Sequence, residues 1–183
     1  ENTSIGTQPA AAVRCEGDAA IFSVIASGTT LSYQWQKDGM NLADGGTISG
    51  ANTSVLNISA VVTGDAGNYR CIVTGICGTA NSNPAALTVN TNTVITVQPA
   101  GNTICEGASH TFNINAVGTG LSYMWKKDGV VVVDGGNISG ATTANLTVSA
   151  AVLTDAGSYT CEVTGTCGTE NSATVTLNVD ENI

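Results

Sequence analysis

Short runs of alternating apolar and polar residues recur along the whole chain, and no long apolar stripe of helical spacing interrupts them. In the first half, Ala20, Phe22, Val24 and Ala26 alternate with polar or small residues. Tyr33 and Trp35, Leu56 and Ile58, then Tyr69, Cys71 and Val73, and finally Leu87 and Val89 keep the same two-residue step. The second half repeats it with Phe112 and Ile114, Tyr123 and Trp125, Leu146 and Val148, then Tyr159, Cys161 and Val163, and Leu177 and Val179. Side chains on a strand point to opposite faces in turn, so this period predicts half-buried β-strands. Turn-forming segments separate the runs: Lys37-Asp38-Gly39, Asp44-Gly45-Gly46 and Gly64-Asp65-Ala66-Gly67.

The two halves share one period of 90 residues. Cys15, Trp35, Asp65, Tyr69, Cys71 and Cys77 recur as Cys105, Trp125, Asp155, Tyr159, Cys161 and Cys167. A fixed internal period marks repeated structural units. The pattern predicts an all-β chain of two domains, 1–91 and 92–183. In the first, strands are expected at about 3–8, 11–15, 19–26, 31–38, 53–60, 67–75 and 80–89; adding 90 gives the second. The linker Asn90 to Thr93 lacks a Gly or Pro run, so limited hinge motion is expected.

Asp65-Ala66-Gly67-Asn68-Tyr69-Arg70-Cys71 follows Trp35, and Asp155 to Cys161 follows Trp125 in the same way. A mid-chain Trp followed by D-x-G-x-Y-x-C resembles the immunoglobulin fold over both repeats. The resemblance implies two tandem immunoglobulin-like β-sandwiches arranged end to end. It also implies that Trp35 and Trp125 fill the cores and that Tyr69 and Tyr159 bond nearby backbone through their hydroxyls. The segments Cys-Glu-Gly, Tyr-x-Trp-x-Lys-Asp-Gly and Asp-Gly-Gly-x-Ile-Ser-Gly-Ala resemble tandem immunoglobulin-like repeats of bacterial surface and secreted proteins. That likeness implies a structural or adhesive role and no catalysis.

The cysteines depart from the family. Its usual disulfide would join Cys71 to position 24 and Cys161 to position 114, but those positions hold Val24 and Ile114. Cys71 and Cys161 are therefore expected as buried free thiols. Cys15 and Cys77 fall at opposite ends of one domain, too far apart for a bond that needs Cα atoms roughly 5.5 Å apart. End-to-end domains offer a cross-domain bridge, Cys15–Cys167, leaving Cys77 and Cys105 to reach neighbouring repeats or molecules. Six free thiols, or a shifted register in the first strand, are the alternatives, since connectivity does not follow from sequence.

Charge narrows the partners. Lys plus Arg is 5 and Asp plus Glu is 14, for a formal net charge of −9. The cations Arg14, Lys37, Arg70, Lys126 and Lys127 form no cluster that would neutralise a run of phosphates, so nucleic acid is not expected as a partner. Charged residues make up only 10% of the chain, and the uncharged polar remainder suits a secreted or cell-surface protein. The aliphatic stretch Val130 to Val133 falls far short of the ~20 apolar residues of a membrane-spanning helix. A start at Glu1, without Met, reads as a processed or excised piece of a longer secreted protein.

Candidate chemistry is sparse. All the aromatics fall in repeat-matched pairs, which leaves no surplus for a sugar-stacking platform. The single His110 aligns with Ala20, so no repeated His-based dyad or paired-His metal site exists. The cysteines lack the spacing of a zinc site. The Asp44 and Asp134 turns are oxygen-bearing, but a calcium ion takes six or more oxygen ligands and these turns read as backbone turns. Asp65 and Asp155 are expected to accept local backbone hydrogen bonds. Asn2, Asn52, Asn57, Asn137 and Asn145 begin N-x-Ser/Thr triplets, which an Asn- and Thr-rich chain also produces by chance. Neither cofactor nor catalysis is expected. Three readings follow: a structural repeat of an extracellular filament or stalk, a surface adhesin binding a protein or glycan through its loops, and a spacer of a secreted enzyme. Loops matched in both copies favour architecture. Residues 1–8 are a candidate donated strand, because open sheet edges invite strand addition.

Overall fold

The structure, a computed structural model, describes residues 1–181. The chain divides into two compact units, Glu1–Asn90 and the chain from Thr91 onward. The first holds β1 (Ser4–Thr7), β2 (Ala12–Cys15), β3 (Ala20–Ser23), β4 (Ile25–Ser27), β5 (Ser32–Lys37), β6 (Met40–Asn41), β7 (Ile48–Ser49), β8 (Val55–Ile58), β9 (Gly67–Gly75), β10 (Gly78–Asn81) and β11 (Ala85–Asn90). A six-stranded sheet runs β2-β11-β9-β5-β6, with β10 also on β9; β3-β8-β7 form a second sheet and β1-β4 a third. Strand β2 lies parallel to β11, Leu87 opposite Ala12 and Asn90 opposite Cys15.

The second unit repeats this order as β12 (Val94–Val97), β13 (Asn102–Cys105), β14 (His110–Asn113), β15 (Asn115–Val117), β16 (Ser122–Lys127), β17 (Val130–Val131), β18 (Ile138–Ser139), β19 (Asn145–Val148), β20 (Gly157–Gly165), β21 (Gly168–Asn171) and β22 (Val175–Asp180). Its sheets are β13-β22-β20-β16-β17 with β21 on β20, then β14-β19-β18, and β12-β15.

Three differences from the sequence pattern have identifiable physical causes. The two-residue strands β6 and β17 are too short to show a period. They are set by two-residue hairpin turns, in which Asp38 and Gly39 have φ of 48° and 88° and Asp128 and Gly129 have 50° and 81°; that geometry matches the twist of paired strands. The strand expected at 19–26 pauses at Val24, whose N–H donates to the Ser54 carbonyl before the chain crosses to pair with β1. The expected last strand splits around Ser82, whose hydroxyl accepts the Cys71 N–H at 2.9 Å. Gln8 then caps the break, its Oε1 accepting the Asn83 N–H. Ser172 and Gln98 repeat both contacts without the neighbouring Pro84, so the side chains and not the proline make the break.

Each unit has its own core. Trp35, Leu56, Ile58, Val61, Cys71 and Val73 are fully buried in the first, with Phe22 stacked on Tyr69 at 4.8 Å between ring centroids. Phe112 stacks on Tyr159 at 4.6 Å beside the buried Trp125 in the second. The indoles are not left with an orphaned donor: Trp35 Nε1 donates to Thr53 O and Trp125 Nε1 to Thr143 O, both at 2.9 Å. Gly50, at φ 80°, illustrates a position closed to side chains, since a Cβ there would sit 2.1 Å from the Val55 carbonyl oxygen.

Candidate functional site

The cysteines of each unit lie at three separate places: one end of the large sheet, its other end, and the core. At one end of the first unit, the β2–β11 pairing sets Cys15 beside Asn90, and a tight corner follows. Cys15 N–H donates to Asp18 Oδ2 at 2.9 Å, Glu16 N–H to Asn90 O and Gly17 N–H to Val61 O. Cys77 sits in the turn between β9 and β10, at the other end of the same sheet, where Ile76 is 71% exposed. Gly67 pairs with Leu87, so Cys15 lies beyond the foot of β9 while Cys77 lies beyond its head. At ~3.3 Å per residue the two are on the order of 40 Å apart, which excludes a bond between them within the unit. The second unit places Cys105 opposite Asp180, with Glu106 N–H donating to Asp180 O, and Cys167 in the β20–β21 turn.

The six cysteines differ in state. Cys15 and Cys167 are disulfide-bonded. Cys77 and Cys105 are exposed free thiols, and Cys71 and Cys161 are buried free thiols. Burial pushes the Cys71 and Cys161 thiols up to about 11, so both remain protonated and inert at neutral pH. Val24 and Ile114, at the positions of the absent partners, are buried in the same cores.

The signature residues do structural work. Tyr69 donates its hydroxyl to Asp65 O at 2.7 Å, and Tyr159 does the same to Asp155 O at 2.8 Å. Burial, with Asp65 and Asp155 nearby, pushes both phenols up to about 12. Asp65 Oδ2 accepts the Val62 N–H and Asp155 Oδ2 the Val152 N–H. Asp155 also accepts from Asn137 Nδ2, a contact without a counterpart at Thr47 and one that sequence pattern does not signal. Asp44 and Asp134 each hold a backbone N–H through Oδ1, those of Ala51 and Ala141, at 2.7 Å. Tyr33 and Tyr123 are half-buried against their cores. His110 stands edge-on to Phe112 at 4.5 Å, with its ring nitrogens 3.2 Å from Ala100 O and 3.3 Å from Asn102 Nδ2.

Among the described residues there is no ligand-sized cavity, no cluster of metal-ligating side chains, and no helix long and apolar enough to cross a membrane. What the surface does offer is a pair of thiol-bearing ends and open sheet edges. The spacing of Cys15, Cys77, Cys105 and Cys167 signalled the first; the edges are visible only once β6 and β17 are paired.

Residues 4–74 match the family described as Immunoglobulin domain, and residues 93–179 match the Immunoglobulin I-set domain. Hemicentin-1 of Mus musculus is 27% identical over 158 residues, covering 84% of this chain and 3% of that protein. Protein sidekick-1 of Mus musculus is 34% identical over 131 residues, covering 69% of this chain and 6% of that protein. The chain thus spans a few per cent of the curated relatives it matches. Among solved structures, an I-band fragment I67-I69 from titin superposes with a TM-score of 0.78 at 21% identity, over 99% of this chain and 66% of that one. At that identity the likeness speaks for the fold.

Proposed function

Because the chain is a pair of immunoglobulin-like domains in tandem, we propose that it is an extracellular structural repeat, one pitch of a filament or stalk built head to tail. Such a pair of domains is non-enzymatic. The observation that carries the reading is the division of the cysteines. Cys15 and Cys167 are disulfide-bonded while Cys77 and Cys105, their repeat equivalents, are exposed and free. We read Cys15 and Cys167 as partners of one another, locking the first domain to the second. By the same 90-residue rule, Cys77 and Cys105 would meet the next repeats of a longer chain or of neighbouring molecules. A contact of this kind is heterologous and extends without closing.

Disulfides persist in oxidising compartments, which supports secretion or display at a cell surface. The likeness of the loop segments to repeats of bacterial surface proteins and the animal relatives Hemicentin-1 and Protein sidekick-1 both accord with that placement. Loops shared by both copies, Asp44 to Ala51 and Asp134 to Ala141, favour architecture over a single protein or glycan ligand. Electron microscopy of the purified chain, oxidised and reduced, tests the reading. Linear assemblies that shorten on reduction are expected. Discrete two-domain particles under both conditions would leave the adhesin or the enzyme spacer in its place.

A further inference from the structure

His110 is the single histidine of the chain, and its repeat counterpart is Ala20. It opens β14 and stands opposite Val148 of β19 in the three-stranded sheet. Its ring leaves that sheet and meets the start of β13. Strand β13 is the terminal strand of the large sheet, paired with β22 alone. The ring contacts therefore tie an edge strand of one sheet to a strand of another.

Hydrogen-bond roles fix the state of the ring. Ala100 O only accepts, so Nε2, at 3.2 Å, carries the proton that bonds it. Asn102 Oδ1 accepts the Thr103 N–H at 2.9 Å, which turns the Asn102 amide nitrogen toward the ring. That nitrogen only donates, so Nδ1, at 3.3 Å, is unprotonated. The neutral imidazole with its proton on Nε2 satisfies both contacts at once. A second proton, on Nδ1, sets N–H against N–H. Rotating the Asn102 amide would meet the new donor but strip the Thr103 N–H of its acceptor.

We propose that His110 is a pH-sensitive tie. Neutral, it pins the start of β13 to the three-stranded sheet; protonated in mild acid, it releases that end of the strand. Strand β13 ends at Cys105, so the tie acts on the strand that carries this exposed thiol. The inference does not depend on how the cysteines pair.

The first unit supplies the internal control. There Arg14 of β2 joins the strands on either side of the equivalent corner, its Nε donating to Ala19 O and its Nη1 to Val13 O, both at 2.8 Å. A guanidinium stays charged throughout the working pH range, so that tie does not titrate. The second unit has Ile104 in place of Arg14 and joins its two strands through His110. Neighbouring charges do not take over. Strands β14, β18 and β19 hold no other titratable side chain. Cys105, Glu106 and Asp180 lie at the far end of β13, on the order of 10 Å from Asn102. Asp155, beyond Phe112 and Tyr159, already accepts from Val152 N–H and Asn137 Nδ2. Among the described residues no carboxylate is bonded to the ring.

The test uses the whole chain, in which one histidine leaves no ambiguity of assignment. Imidazole nitrogen NMR at about pH 8 is expected to show the proton on Nε2. On titration to about pH 5, the Thr103 backbone amide and the Asn102 side-chain amide should shift with the same midpoint as the ring. Hydrogen-exchange protection of β13, corrected for the intrinsic rate at each pH, should fall roughly two- to tenfold, the worth of one net hydrogen bond. Protection of β2 should hold. His110→Ala, which copies Ala20 of the first unit, should abolish the pH dependence of β13. A proton on Nδ1 at the alkaline end, Asn102 and Thr103 signals that ignore the ring, unchanged protection of β13, or a loss that persists in His110→Ala would each overturn the proposal. The first three are read on the unaltered chain, so a variant that fails to fold does not rescue it.

Discussion

Trp35 and Cys71 stand directly opposite one another on β5 and β9, both fully buried. The immunoglobulin disulfide position is therefore occupied by a thiol packed against the core indole, with Val24 in the place of its partner. Trp125 and Cys161 repeat the arrangement in the second unit. Each domain holds its sheets together by apolar packing in place of a covalent staple.

Restoring the staple should stabilise the first domain. Val24→Cys under oxidising conditions is expected to close a bond to Cys71 and raise stability by about 2–4 kcal/mol through loss of unfolded-chain entropy. The urea midpoint in oxidised and reduced samples checks it. Equal midpoints in the two states would mean that positions 24 and 71 do not face one another.

Ser82 replaces a strand neighbour as the acceptor for the buried Cys71 N–H. Ser82→Ala leaves that donor without a partner and should cost about 1–3 kcal/mol, read as a lower thermal midpoint. Ser172→Ala should do the same in the second domain, where Ser172 serves Cys161. A loss well below 0.5 kcal/mol in both would show that another acceptor takes over.

These elements mark what the sequence made legible. Strand β9, Gly67–Gly75, matches the expected 67–75 because Tyr69, Cys71 and Val73 carry a clean period and Gly bounds both ends. Strands β6 and β7 went unseen, since two residues cannot show a period and their pairing is fixed by the Asp38-Gly39 turn and by β8. The breaks at Val24 and Ser82 depend on contacts distant in sequence, with Ser54 and with Gln8 beside Cys71. The cysteine ends were readable because strand direction alone separates Cys15 from Cys77. The exposed valines Val130, Val131 and Val133 were readable only as an aliphatic run, because their exposure is decided by how the sheet ends at β17.

Alkaline pH should weaken both domains. Burial holds the Cys71 and Cys161 thiols at about 11, above their unfolded value near 9. The unfolded chain therefore loses these protons first as pH rises. Their contribution is intact below pH 9 and declines as pH climbs toward 11. The Tyr69 and Tyr159 phenols, at about 12, extend the decline upward. Thermal midpoints from pH 7 to 11 should fall above pH 9, and Cys71→Ala with Cys161→Ala should flatten the first part of that fall. An unchanged slope in the substituted chain would assign the loss to other groups.

The central claim is that Cys15 and Cys167 are bonded to one another, and tryptic mapping of the alkylated, non-reduced chain tests it most directly. Cleavage after the five cations puts Cys15 on 15–37, Cys77 with Cys71 and Cys105 on 71–126, and Cys167 with Cys161 on 128–183; further cleavage at Glu162 separates Cys161 from Cys167. The account predicts one linked pair, 15–37 with the Cys167 fragment. It also predicts rapid alkylation of Cys77 and Cys105 in the folded chain and labelling of Cys71 and Cys161 only on unfolding. A bond between 15–37 and 71–126, or free Cys15 and Cys167, would contradict it.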